Sequence, residues 1–89
     1  MIAVGSHTQN TSLSSAVSIT VPPQATHVLL QAQTQDVRVT IDGTAPTATK
    51  GFLVVAAWDW TILPVPSNGT LKAIEVAASA KLDYQFIQE

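Results

Sequence analysis

Apolar side chains recur at every second position of this chain, in runs too short for anything but strands. Val17, Ile19 and Val21 alternate with Ser18 and Thr20, and Val37, Val39 and Ile41 alternate with Arg38 and Thr40. Val28, Leu30 and Ala32 share one parity, with His27, Leu29, Gln31 and Gln33 on the other. The pattern returns at Trp58, Trp60 and Ile62, at Ile74 and Val76, and at Leu82, Tyr84 and Phe86. A period of two places successive side chains on opposite faces of a strand, so each run describes a half-buried strand. Nowhere does a 3.6-residue period persist for the ~10 residues of a free-standing helix. Pro22-Pro23, Asp42-Gly43, Pro64-Val65-Pro66-Ser67-Asn68-Gly69 and Ala78-Ser79-Ala80 punctuate the runs with turn formers. The expectation is an all-β chain: a single small antiparallel β-sandwich or jelly-roll-like domain of roughly six to eight short strands.

Residues 1–12 have no sustained period and read as an N-terminal arm or an edge strand, with the sandwich domain spanning 13–89. Strands are expected over 13–21, 26–34, 37–41, 52–57, 58–62, 70–77 and 81–88. Thr34-Gln35-Asp36 and Ala78-Ser79-Ala80 are short enough to close hairpins between their flanking strands. Pro46 fixes its own φ and extends Ala45, so the loop 44–51 should be ordered rather than floppy. As a free arm, residues 1–10 could be deleted without altering the β-sheet spectrum.

With 89 residues, there is room for one core. A chain of this size hides roughly 60–65% of its unfolded surface and is marginal alone. There is no cysteine, and the two histidines, His7 and His27, lie far apart without metal-ligand spacing. No cofactor or metal is expected, and self-association is the remaining source of support. Charged residues make up only 11% of the chain against 46% apolar, about half the usual charged share. That suits a protein whose outer faces are covered by neighbours, although a Thr-rich β surface would look similar. The four basic residues, Arg38, Lys50, Lys72 and Lys81, are scattered within a net charge of −2, so nucleic acid is not an expected partner. No apolar run approaches the ~20 residues of a membrane helix. Met1 to Ser6 lacks the charged flank and apolar centre of a secretory signal, so manufacture and use in a cytoplasm are expected.

No set of side chains forms a catalytic constellation. The carboxylates Asp36, Asp42, Asp59, Asp83, Glu75 and Glu89 show no paired pattern, and no nucleophile elbow is present. An enzyme is not expected. Arg38 lies within reach of Asp36 and Asp42, which suggests either an intrachain ion pair pinning the Asp42-Gly43 turn or a grip on a neighbouring chain. The intrachain pair is favoured. Phe52, Trp58, Trp60, Tyr84 and Phe86 are the large aromatics, expected in the core or at a subunit interface. Were Trp58 and Trp60 exposed, they would offer a stacking platform for sugars.

Pro22-Pro23-Gln24-Ala25-Thr26-His27, then Val37-Arg38, then Asp42-Gly43-Thr44-Ala45-Pro46-Thr47, form an ordered series of motifs. The series ends with Ile74 to Tyr84, where Ala80-Lys81-Leu82 opens the last strand. Over roughly residues 20–88 it resembles small virion proteins of tailed bacteriophages. Many of those carry an aromatic and an acidic residue where this chain has Val39, Thr40 and Ile41. The resemblance implies a structural protein of the virion: a capsid decoration (cement) protein that bridges capsomers, self-associates as a trimer and contacts the major capsid protein. The alternative is a tail, baseplate or fibre module that recognises host glycans. The loops 44–51 and 64–68 and the N-terminal arm are the expected contact elements.

Overall fold

The computed structural model describes all residues, Met1–Glu89, and contains eight strands and no helix. They are β1 (Ile2–Asn10), β2 (Val17–Thr20), β3 (His27–Gln33), β4 (Val37–Thr40), β5 (Phe52–Val54), β6 (Thr61–Pro64), β7 (Thr70–Glu75) and β8 (Lys81–Gln88). Their pairings nest: β1 with β8, β2 with β7, β3 with β6 and β4 with β5, all antiparallel. A chain doubled back on itself once gives those four pairs. Winding the doubled ribbon adds β3 against β8 and β4 against β7. Two four-stranded sheets result, in the orders β1-β8-β3-β6 and β2-β7-β4-β5. That is the strand order of a jelly roll, two sheets packed face to face as a sandwich.

The alternation seen in the sequence decides which side chains enter the sandwich. On β3, Val28, Leu30 and Ala32 are buried while their neighbours are half-exposed. Val37 and Val39 of β4, Leu71 and Ala73 of β7, and Leu82 and Phe86 of β8 complete the interior. On β7 this corrects the expected face: Ile74 and Val76 have the outward parity, and Val76 is exposed. Leu13 and Ala80 close one end of it; Val21, Ala25 and Val65 close the other. The filling is almost wholly aliphatic, and of the aromatics expected in the core or at an interface only Phe86 is fully inside it. Phe52, Trp58 and Trp60 are 58%, 57% and 59% exposed, whereas Phe86 is 6% exposed. Tyr84 is half-buried and meets Phe86 edge to face, 5.8 Å between centroids. The apolar run 52–57 forms a strand only to Val54; Val55 then turns, its carbonyl accepting the Trp58 N–H at 3.0 Å. Both tryptophans thus fall in the β5–β6 connection, outside the ladder that would have directed them inward.

The two expected hairpins are also corrected. β3 and β4 belong to different sheets, as do β7 and β8. Thr34 (φ 72°) and Ser79 (φ 74°) carry the two turns, and the Val76 N–H donates to the Asp36 carbonyl where they lie side by side. A three-residue turn can fold a ribbon within one sheet or across a sandwich. Here burial chooses the crossing, because it sets Val28, Leu30 and Ala32 facing Val37 and Val39. With short connections, the β1–β2, β3–β4, β5–β6 and β7–β8 turns gather at one end. The Asp42 loop, the Pro64–Gly69 segment and both termini gather at the other.

Residues 2–10 are not a free arm. They pair with β8 from Ile2↔Gln88 to Asn10↔Leu82, with a bulge between Val4 and Thr8 that bends this edge. Gln85 braces the bulge, its amide nitrogen donating to the carbonyls of Val4, Gly5 and Phe86 at 3.0–3.2 Å. Deleting residues 1–10 is therefore expected to lower both the β-sheet circular dichroism and the urea midpoint; an unchanged spectrum would contradict the pairing. Leu82→Ala, at a fully buried centre of β8, should cost about 2–5 kcal/mol in urea unfolding.

Candidate functional site

The motif 42–47 builds an ordered loop on the end of β4. Asp42 Oδ1 accepts the Thr44 N–H at 3.0 Å, an Asx turn, and Gly43 takes the positive φ of 85° that the turn requires. Thr40 Oγ1 donates to the Thr44 carbonyl, closing the turn from the strand side. Thr47 and Lys50 exchange two backbone hydrogen bonds, at 3.0 and 3.2 Å, so the rest of the loop doubles back tightly. The Thr44 backbone N–H, and then its hydroxyl, hold the Asp42 carboxyl below the usual carboxylate range, with a small added pull from Lys50.

Arg38 does not complete an ion pair with either aspartate. Its Nη1 donates to the Gly51 carbonyl at 3.0 Å, and its buried Nε has no partner. Asp36 sits at the opposite end of β4, where its Oδ1 accepts the Ala56 N–H at 2.8 Å. The only ion pair in the chain joins the Met1 amino group to Glu89 at 3.8 Å. Register explains the difference. Arg38 is opposite Leu53, which makes Gly51, the residue just before β5, its diagonal neighbour, within a long side chain's reach. The arginine thus straps the returning end of the loop to β4. Gly51 has φ 127°, and a Cβ there would lie 3.1 Å from the Val39 carbonyl and 3.3 Å from Arg38 Cβ.

Between the turn and β5 lies an open cleft of about 570 Å³, lined by Thr40, Ile41, Asp42, Thr44, Lys50 and Phe52. Pro46 and Thr47 stand behind it in the loop, Pro46 Cβ being 3.4 Å from the Cβ position at Gly51. No three His, Asp or Glu side chains converge to hold a metal. The cleft joins two charges of opposite sign, on Asp42 and Lys50, to the exposed phenyl ring of Phe52.

Phe52 and Leu53 on the β5 edge, Trp58 and Trp60 in the β5–β6 connection and Ile62 of β6 are the exposed large apolar side chains on this side of the sandwich. Leu53 was not singled out by sequence reasoning, and Ile62 was placed with Trp58 and Trp60 on one strand face. Compared with known proteins, the chain matches no family model, no curated protein and no solved structure.

Gly51→Ala should destabilise the fold by about 1–3 kcal/mol through backbone strain and loss of the close approach. The Asp42 carboxyl, followed by NMR, should titrate below the ordinary aspartate range. Because its folded pKa is lowered, the stabilising effect is complete above the unfolded pKa and fades as pH falls through the folded one. Asp42→Asn should keep the turn and remove that pH dependence.

Proposed function

We propose that this chain is a structural subunit of a tailed-bacteriophage virion: a decoration (cement) protein that sits on the head and bridges capsomers. The observation that carries the reading is the exposure of Phe52 and Leu53 on the open edge strand β5 and of Trp58 in the connection that follows it. Exposed edge strands invite pairing and are usually blunted by charge or proline. This one presents aromatic and aliphatic side chains instead. Covering about 100 Å² on each such side chain stabilises contact by roughly 2–3 kcal/mol at 25 cal/mol per Å². Repeated across a trimer and across many lattice sites, modest contacts of this kind add up by avidity. The loops at 44–51 and 64–69, which share an end of the sandwich with both termini, are a second contact surface. The Val-Arg and Asp-Gly-Thr-x-Pro-Thr motif supports the virion setting, and the major capsid protein is the partner the reading requires.

A second reading, a tail, baseplate or fibre module that binds host glycans, is favoured by one specific observation. Trp58 and Trp60 are exposed, as a sugar-stacking surface needs.

The test is to add purified protein to heads that lack it and measure occupancy by sedimentation and cryo-microscopy. The expected result is saturable binding that raises the temperature at which heads rupture. Phe52→Ser with Trp58→Ser should cut occupancy at least about tenfold, a loss of only 1.4 kcal/mol. Density for the chain on a tail or fibre, with none on the head, would favour the second reading.

A further inference from the structure

Four strands end the two sheets, β1 and β6 in one and β2 and β5 in the other. Three of these edges carry a device that discourages pairing. β1 is bent by its bulge, β6 ends on Pro64, and β2 is followed closely by Pro22-Pro23. β5 has only its shortness, three residues. From Gly51 to Trp58 the chain carries no charge, and Phe52, Leu53 and Trp58 of that stretch are exposed.

The two ends of this edge differ. At its start lies the cleft of about 570 Å³, apolar at Ile41 and Phe52 and charged at Asp42 and Lys50. At its far end the chain turns and presents Trp58, followed by an exposed Asp59. That turn is fixed by the Trp58 N–H on the Val55 carbonyl and by the Ala56 N–H on Asp36 Oδ1. Both ends are ordered before any contact forms, which lowers the cost of making one. Neither Lys50 nor Asp59 has an ion-pair partner, since the chain's only ion pair joins Met1 to Glu89. One end offers a hollow and a cation, the other a ring and an anion. Reversed end for end, such a surface complements itself, which is the requirement of a two-fold contact.

We propose that the β5 edge is covered by the β5 edge of a second copy, related to it by a two-fold axis at Leu53. An antiparallel pair centred there sets Leu53 against the partner's Leu53 and Phe52 against the partner's Val54. The turn after Val55 then carries the partner's Trp58 to the mouth of the cleft. Lys50 approaches the ring face, and the Asp42 carboxylate has lone pairs to spare for the indole N–H. The partner's Asp59 comes beside Lys50, and symmetry makes each contact twice. A different protein would have to match both ends of the edge independently; a second copy matches them by carrying them. More than half of each of the Phe52 and Trp58 rings is exposed. With Leu53 they offer about 300 Å² of apolar side chain per copy, aromatic side chains covering roughly 150–250 Å² each. The pair hides about 600 Å² of it, and roughly 60% of an interface is apolar, so the whole contact comes to about 1,000 Å². That is the lower bound for a specific interface and describes a weak dimer. The inference deepens the proposed function by naming what covers these side chains. It rests on their exposure rather than on the virion setting, where a dimer instead of a trimer would be the unit that meets the head.

The experiment is sedimentation of the purified chain from micromolar to millimolar concentration. A monomer–dimer equilibrium is expected, with its midpoint in the upper micromolar range. Leu53→Lys, which puts two cations on the axis, and Trp58→Ala should each raise that midpoint at least about tenfold. Both are surface changes, so the urea midpoint of the dilute monomer should stay the same. Lys50→Glu and Asp59→Lys should each weaken self-pairing, and mixing the two variants should restore it as a heterodimer, because opposite charges then meet at both ends. A chain that stays monomeric at millimolar concentration, a trimer, or variants that pair no better mixed than alone would each overturn the proposal. Occupancy on phage heads is a separate measurement, so either idea can fail alone.

Discussion

Everything in this molecule depends on two aliphatic stripes closing on each other across the sandwich. Val28, Leu30 and Ala32 on one sheet face Val37, Val39, Leu71 and Ala73 on the other, without a disulfide or a buried ion pair to help. That burial holds the nested strand pairs in register, since a one-residue slip would turn each stripe outward. It also explains why the turns at Thr34 and Ser79 cross between sheets. Crossing puts consecutive strands on facing layers, which a local hairpin would not.

The same thin interior explains the surface. Side chains of valine and leucine size fill the gap between the sheets, and Phe86 is the one large ring buried among them. Phe52, Trp58 and Trp60 are left outside, on the short β5 edge and in the connection that follows it. In a chain with so few charges these rings are a large share of its adhesive surface. The proposed decoration role and its glycan-binding alternative would both draw on this surplus.

The motif 42–47 has a plainer physical role than its charges suggest. Asp42 works through a backbone hydrogen bond to Thr44, and Arg38 reaches across to Gly51. The two groups hold opposite ends of one loop without touching as ions. Spacing along the chain placed Asp36, Arg38 and Asp42 within mutual reach. Only the β4–β5 register showed that the guanidinium points across the sheet.

The sequence by itself determined the all-β class, the inner parity of β3, β4 and β8 and the turn at Asp42-Gly43, because those follow from local rules: a period of two and the φ preferences of glycine and proline. It also held a cue for covered faces, in a charged share of only 11%, about half the usual one. The tertiary structure alone decided that residues 2–10 are an edge strand, that two apparent hairpins are crossings, and that Trp58 and Trp60 face solvent. The reason is common to all of these. Each depends on which distant strand lies alongside, and pairing partners are selected by the burial of the whole sandwich rather than by any short stretch of chain.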